Sequence, residues 1–142
     1  MDNIDIYQAI LAIREQDARY KPDAYLFVRD ALDYTVKRID AKMPDRKTRH
    51  ITGQELLEGI RNFALQQYGP MTFTVLQSWG VNRCEDFGEI VFNLVETGMF
   101  SKTEEDSRSD FTGCYNFDEA FKQPFIPKRK INQELNNDEN IT

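Results

Sequence analysis

The apolar residues of this chain recur every three or four positions in five separate stretches. That spacing is typical of amphipathic helices, since it places the apolar side chains along one face. Glycine, proline and polar residues divide the stretches from one another. The pattern predicts helices over about 4–17 and 22–42, from Thr52 to Gly69, from Pro70 to Gly80, and from Cys84 to Gly98.

Local signals support several of these helix boundaries. Thr52 and Glu55 have the spacing of a capping box, in which each side chain bonds the backbone N–H of the other residue. Pro22 suits the first turn of a helix, where its missing N–H is not needed. Asn82 and Glu85 repeat the capping spacing before the last long helix. Asn116 predicts a further short helix over about 117–122.

The stretch after Gly98 suggests two short strands. Met99–Phe100 and Phe111–Phe117 could pair as a β-hairpin, with Lys102–Asp110 as the loop between them. The order of elements over residues 52–117 then resembles a winged helix-turn-helix. The alternative is a plain helical bundle, which the N-cap spacing of Thr103 and Asp106 favours.

The predicted fold is therefore mainly α. N-terminal helices pack on the winged-helix-like unit in a single domain over residues 1–121. Residues 122–142 hold prolines, the Lys128–Lys130 cluster and an Asn/Glu-rich end, and we expect them to form a tail without a core.

Composition limits the class of protein. The chain has 142 residues, of which 40% are apolar and 12% aromatic, enough for one domain with a core. No apolar run approaches the roughly 20 residues of a membrane span. The first residues are acidic and do not resemble a signal peptide, so we expect a cytoplasmic protein. Cys84 and Cys114 are then expected to be reduced core residues, with a redox or metal role as the alternative.

Charge is distributed unevenly along the chain. The net charge is −6, but residues 84–121 hold ten acidic and two basic residues. A helix over 84–97 with that charge is unsuited to reading DNA in the major groove. Residues 37–49 hold six basic and two acidic residues. Possible contacts of this basic connector with phosphate or an acidic partner are Lys42, Arg46, Lys47 and Arg49. Alternatively, the connector is solvated or neutralises the acidic helix within the molecule.

No catalytic motif occurs in the sequence. The seven glycines are dispersed, and the chain contains no glycine-rich phosphate loop, HExxH, GxSxG or CxxC motif. The carboxylates Glu104–Asp106 could bind a hard cation, but a solvated loop explains them as well. We therefore predict no catalytic residue, no metal and no cofactor.

Several stretches resemble a family of small bacterial hypothetical proteins of the Verrucomicrobia and Planctomycetes type. They are 19–28, 53–61, 79–81, 85–95 and 102–108, with Trp79-Gly80-Val81 and Glu85-Asp86-Phe87-Gly88-Glu89 among them. The resemblance covers about residues 1–121. It implies no activity and no site residues, because the family has no assigned function.

These observations favour a protein-interaction or adaptor module with an acidic surface. The candidate contact residues are Glu85, Glu89, Phe92, Glu96, Glu104 and Glu105. Phe92 lies off the main apolar stripe and could be an exposed aromatic anchor, or it could widen the core face. We expect the partner to be an unidentified protein or a second copy of the chain, with no membrane involved. The alternative function is a nucleic-acid-associated regulator that uses the basic connector.

Overall fold

A computed structural model describes residues 3–46, 51–98, 111 and 115–126. These residues form a mainly helical structure, as predicted. The α-helices of the described ranges are α1 (Asn3–Gln16), α2 (Pro22–Lys42), α3 (Gly53–Tyr68), α4 (Thr72–Ser78) and α5 (Cys84–Glu96). A 3₁₀ turn (Gly69–Met71) precedes α4, and a π-helical turn (Asp118–Lys122) leads into a second 3₁₀ turn (Gln123–Phe125).

The helix ends follow local chemistry in most places. Thr52 Oγ1 accepts a hydrogen bond from Glu55 N at 3.1 Å, and Glu55 Oε1 accepts one from Thr52 N at 3.0 Å. The predicted capping box at the start of α3 is therefore confirmed. Helix α5 begins at Cys84 as predicted, but Asn82 does not cap it with its side chain. Instead, Asp86 Oδ2 accepts from Asn82 N at 2.8 Å.

Helix α5 packs against three other helices, α1, α2 and α3. More than half of its residues are buried, and they do not lie on a single narrow stripe: Cys84, Phe87, Gly88, Ile90, Val91, Phe92 and Leu94. An amphipathic surface helix buries one face only. The surroundings of α5 therefore have to satisfy its polar side chains as well as its apolar ones.

Helices α2 and α3 approach each other closely at one point. Gly59 of α3 lies against Thr35 of α2, and a methyl group at position 59 would overlap Thr35 Oγ1. Thr35 is buried, and its hydroxyl donates to Ala31 O at 2.7 Å. The contact continues through Phe63, whose ring lies 5.5 Å from that of Phe27. The absence of a side chain at Gly59 thus sets the separation of the two helices.

The described residues do not support the predicted β-hairpin. Phe111 lies in a 3₁₀ turn, Tyr115 and Asn116 are irregular, and Phe117 begins a helical turn. Met99–Phe100 and the predicted wing, Lys102–Asp110, lie outside the described residues. Phe111 and Phe117 are instead buried one by one, at 4% and 6% exposure. Aromatic residues that alternate loosely along a chain can bury their rings without pairing in a β-sheet. Here the rings of Phe111 and Phe117 pack against α5, where the predicted hairpin would have had backbone hydrogen bonds between strands.

We expect Gly59→Ala to destabilise the protein by about 2 kcal/mol, because overpacking at a close helix contact forces the backbones apart. Urea denaturation measures the change. Thr35→Ala removes the hydroxyl that the new methyl group meets first. The double variant should therefore lose less than the sum of the two single variants. Simple additivity would show that the two positions are not in contact.

Candidate functional site

The most elaborate polar cluster joins the connection between α1 and α2 to the surface of α5. Asp17 and Arg19 form a two-pronged ion pair, with Nε–Oδ1 at 2.9 Å and Nη2–Oδ2 at 2.7 Å. The same Arg19 Nη2 donates to Glu89 Oε1 of α5 at 3.2 Å. Glu89 was predicted to face a partner, but it pairs within the molecule.

Tyr20 makes the next link between this connection and α5. Its ring is 1% exposed, and its hydroxyl donates to Asp86 Oδ1 at 2.6 Å. Since Asp86 Oδ2 accepts from Asn82 N, one carboxylate ties Tyr20 to the turn before α5. Arg14 of α1 completes the contact by donating from Nε to Tyr20 O at 2.9 Å.

Asn93 closes the cluster one helical turn beyond Glu89. Its Nδ2 donates to Asp17 Oδ2 at 3.2 Å and to the hydroxyl of Tyr25 at 3.0 Å. Three polar side chains of α5, those of Asp86, Glu89 and Asn93, are therefore engaged in hydrogen bonds within the molecule. We call Asp17, Arg19, Tyr20, Asp86, Glu89 and Asn93 the polar network.

The pKa values of the ionisable groups in the polar network fit a structural role better than a role in proton transfer. Hydrogen bonds from the Arg19 side chain hold the pKa of Asp17 well below its usual value. Burial, and then the carboxylate of Asp86, raise the pKa of Tyr20 well above its usual value. Asp17 therefore stays charged and Tyr20 stays protonated at neutral pH. A general acid or base works best with a pKa near the working pH, so neither group is tuned for that role.

A close backbone approach holds the network in place. Lys21 N donates to Trp79 O at 3.1 Å, which binds the α1–α2 connection to the end of α4. Gly80 follows with a φ of +91°, and a Cβ atom there would overlap Arg19 O. Only glycine combines this backbone conformation with room for the neighbouring carbonyl.

The basic connector is partly neutralised by a second ion pair. Arg46 donates to Glu55 through Nη1 at 2.7 Å and Nη2 at 2.9 Å. The Arg46 side chain is only 17% exposed. The pairing lowers the pKa of Glu55 to about 2. The candidate phosphate contact Arg46 is thus engaged within the molecule, and its partner is α3, not the acidic helix α5.

A cleft lies between the C-terminal half of α2 and the start of α3. It has a volume of about 180 Å³ and is lined by Thr35, Arg38, Ile39, Lys42, Glu55, Glu58 and Gly59. Cations line one side and carboxylates the other. Arg38 stacks over the ring of Tyr34, and Glu58 accepts from Arg61 at 3.4 Å. The lining charges therefore have neighbours of their own, and nothing in the cleft selects one ligand.

Helix α1 carries an exposed apolar ridge. Leu11 is 67% exposed and Tyr7, one turn earlier, is 50% exposed. The opposite flank of the same helix is anchored in the core through Ile6, Ile10 and Ile13. We call Tyr7 and Leu11 the α1 ridge. It was not among the sequence candidates, because both residues were assigned to the buried face of the first helix.

The structure separates the predicted partner contacts of α5 from one another. Phe92 is 8% exposed and its ring meets that of Phe111 edge to face at 6.3 Å, so of the two alternatives for this residue it widens the core face and is not an exposed anchor. Gly88 allows that approach, because a Cβ there would lie 2.9 Å from Phe111 Cβ. Glu85 is half-buried, whereas Glu96 is exposed.

The remaining predicted contacts are scattered or undescribed. Lys42 is exposed at the end of α2. Lys47, Arg49, Glu104 and Glu105 lie outside the described residues. Of the four acidic-surface candidates that the structure describes, Glu89 is paired with Arg19, Phe92 is buried, Glu85 is half-buried and Glu96 is exposed.

Cys84 also differs from expectation. It is 1% exposed, as a core residue should be, but it is disulfide-bonded and is not a free thiol. Disulfides persist mainly in oxidising compartments. The expectation that Cys84 is reduced is therefore wrong, whereas the cytoplasmic location stays a prediction.

The polar network was not predicted, although the sequence contains one indication of it. Residues 17–20 place an acid, a base and a tyrosine in a short connection between two helices. Such a cluster is as compatible with a solvated loop as with an internal network. Its partners on α5 lie about 70 positions later, so helical periodicity contains no information about them.

Comparisons with protein-family models, curated proteins and solved structures find no match to this chain. The resemblance to a bacterial family therefore stays a prediction. In the described part of the chain, His, Cys, Asp and Glu side chains form no group of three or more that could hold a metal ion. Within the same residues, no helix combines the length and apolar character needed to cross a membrane.

We expect Glu55→Gln to isolate the charge of the Arg46 pair, since glutamine can still accept the capping bond from Thr52. At pH 7 the variant should melt about 2–4 °C below the wild type. The folded pKa of Glu55 lies below its ordinary 4.5, so the charge stabilises the protein above that pH. Its contribution is lost as the pH falls from about 4.5 to about 2. Melting curves from pH 2 to 7 test this convergence, with Asp45→Asn as a charge-matched control whose difference should not follow the same curve.

Gly80→Ala and Gly98→Ala form a matched pair. Both glycines have positive φ, at +91° and +84°, but nothing lies within 4 Å of a Cβ at position 98. We expect Gly98→Ala to cost about 1 kcal/mol from backbone strain alone. Gly80→Ala should cost about 3 kcal/mol, because its methyl group also meets Arg19 O. Equal losses in urea denaturation would contradict the close approach of the α1–α2 connection.

Proposed function

We propose that this protein is a protein-binding module whose contact surface is the α1 ridge. The main support for this proposal is the exposure of two large apolar side chains, Leu11 at 67% and Tyr7 at 50%, which lie one turn apart on one helix. A single exposed apolar residue is ordinary in a soluble protein. Two neighbours on one helical flank form a small surface that water solvates poorly.

The fold does not need this ridge for its own core. Ile6, Ile10 and Ile13 are at most 8% exposed and already anchor α1 on the rest of the molecule. The ridge residues project from the adjoining flank and contribute little further burial. Tyrosine is among the residues that most often dominate the energy of protein interfaces.

The spacing of the two ridge residues suits a helix that binds in a groove. Tyr7 and Leu11 stand four positions apart, which places both side chains on one side of the helix, as in a helix that lies in an apolar groove. The exposed Glu15 follows Leu11 by one turn. The partner expected from this surface is a protein with an apolar groove that has a basic side chain at one end, which also suits a net charge of −6.

This proposal keeps the predicted class of function but moves its surface. The acidic residues of α5 were the expected contacts, yet Glu89 pairs with Arg19 and Phe92 is buried. Glu96 remains exposed and could lie at the edge of a contact. Charged residues at an interface edge affect association rate more than affinity.

Leu11→Lys tests the proposal, and Gln16→Lys is its matched control. Gln16 is exposed on the opposite flank of α1, so both variants add one positive charge to the same helix. Both should fold, because each site is exposed. We expect Leu11→Lys to weaken binding of a captured partner at least about 10-fold in titrations with purified proteins, whereas Gln16→Lys binds as the wild type does.

Sedimentation of the same variants identifies a self-contact. If the wild type dimerises and Leu11→Lys alone is monomeric, the partner is a second copy. Binding that Leu11→Lys leaves unchanged would refute the ridge as the contact surface. A wild type that is monomeric and captures nothing specific would refute the interaction module itself.

The nucleic-acid alternative receives less support. It needs the basic connector to be available, but Arg46 pairs with Glu55. Lys42 is exposed, while Lys47 and Arg49 lie outside the described residues. A role of these lysines and Arg49 in nucleic-acid binding stays a prediction, which a steep loss of binding with added salt would support.

A further inference from the structure

The chain carries on its own surface a cleft of the kind that the α1 ridge requires. The cleft between α2 and α3, which we call the α2–α3 cleft, has a volume of about 180 Å³. Among its lining residues, Thr35 and Gly59 are buried, whereas Lys42 and Glu58 are exposed. The first two therefore form its floor and the last two its rim, so a basic side chain stands at one edge of the cleft.

We infer that the partner of the α1 ridge is a second copy of this chain, and that Leu11 of each copy enters the α2–α3 cleft of the other. The inference rests on the proposed function, because it requires the ridge to be a contact surface, and it assigns a partner and an acceptor site to that surface. Leu11 does not fill the cleft of its own copy, since its side chain is 67% exposed.

The size of the α2–α3 cleft suits one apolar side chain. A cavity of roughly 150 Å³ holds a benzene molecule, so a cleft of about 180 Å³ has room for the side chain of Leu11 but not for the ring of Tyr7 as well. Tyr7 lies one turn before Leu11 and would therefore rest on the rim. Ile39 and the methylene groups of Arg38 and Lys42 supply apolar surface inside the cleft.

The charges beside Leu11 match the arrangement of charges in the cleft. Arg14 and Glu15 follow Leu11 by three and four positions, so they lie about one turn away on either side of it. In the cleft the cations come from α2 and the carboxylates from α3. With Leu11 inserted, one orientation of α1 places Glu15 beside Lys42 and Arg14 beside Glu58. Charges that select no small ligand thus favour one orientation of a second α1 helix.

Glu15 and Lys42 are available for such a pair. Both side chains are exposed, and the structure gives neither of them an ion-pair partner among the described residues. Arg14, by contrast, already donates from Nε to Tyr20 O. An exposed ion pair contributes little energy but helps to orient an association. The burial of Leu11 therefore drives the contact, and the pair of Glu15 with Lys42 sets its direction.

The contact suits a two-fold dimer. The ridge and the cleft are different surfaces, so a single contact leaves each copy with one of its two surfaces unused. In a two-fold dimer the ridge of each copy enters the cleft of the other, and both contacts form at once. Two contacts bury twice the apolar area of one. The interface is still small, so we expect association only at high protein concentration.

Charge reversal across the contact tests the inference, with sedimentation equilibrium of the full-length protein at up to about 1 mM. Glu15→Lys and Lys42→Glu each place like charges at both contacts of the dimer. We expect each variant alone to self-associate at least about 5-fold more weakly than the wild type. An equimolar mixture of the two variants should associate as strongly as the wild type, because both contacts of the mixed dimer again join opposite charges.

Lys37→Glu is the matched control for Lys42→Glu. Lys37 is exposed on the same helix, and it pairs outside the cleft with Asp33, with Nζ and Oδ2 2.9 Å apart. The control makes the same change in net charge and should self-associate as the wild type does. All three substituted positions are exposed, so the variants should fold.

Three results would overturn the inference. If Leu11→Lys blocks self-association but Lys42→Glu does not, the ridge docks elsewhere on the second copy, and the proposed function stands. If the mixture of Glu15→Lys and Lys42→Glu associates as weakly as either variant alone, the two side chains do not meet. If the wild type is monomeric at about 1 mM, the partner is not a second copy. The proposed function is then decided by whether the ridge captures a different protein.

Discussion

The structure depends on how one short helix, with more than half of its residues buried, is hydrogen-bonded to the rest of the molecule. Helix α5 packs against three other helices and buries residues around more than one face. Asp86, Glu89 and Asn93 of this helix are half-buried, and a polar group that loses water without gaining a partner is costly. The α1–α2 connection supplies most of those partners: Arg19 for Glu89, Tyr20 for Asp86 and Asp17 for Asn93. Tyr25 of α2 is the second partner of Asn93. These hydrogen bonds act together with the burial of Ile6, Ile10 and Ile13, which anchors α1 on the molecule.

The sequence contained the helix boundaries because they arise from local chemistry. Prolines, glycines and the Thr52 capping box act within a few residues, and the observed α2 has the predicted bounds of Pro22–Lys42. The environment of α5 was not predictable in the same way. Glu89 and Asn93 fall on the polar side of the periodic pattern, whether they face water or a partner. Only a contact from about 70 positions earlier decides between these cases.

The errors in the site prediction share a physical cause with the error in the hairpin. Phe92 lay off the apolar stripe and Phe111 looked like a strand residue, yet the two rings pack together. Gly88 permits that contact by leaving space on the intervening surface of α5. The spacing of apolar residues cannot predict a core that is widened at a glycine. The spacing records where apolar side chains recur, and does not show where a missing side chain leaves room for a residue from elsewhere in the chain.

Internal pairing of charge also changes which surfaces are available for function. A net charge of −6 suggested electrostatic recognition, but several of the expected contacts are already satisfied. Glu89 is bound by Arg19, and Arg46 is bound by Glu55. A charge paired within the molecule must lose that partner before it can gain another, so it contributes little net affinity. An exposed apolar side chain has no such cost, because leaving water is itself favourable. For this fold, Tyr7 and Leu11 are therefore better placed to drive binding than the more numerous acidic residues of α5.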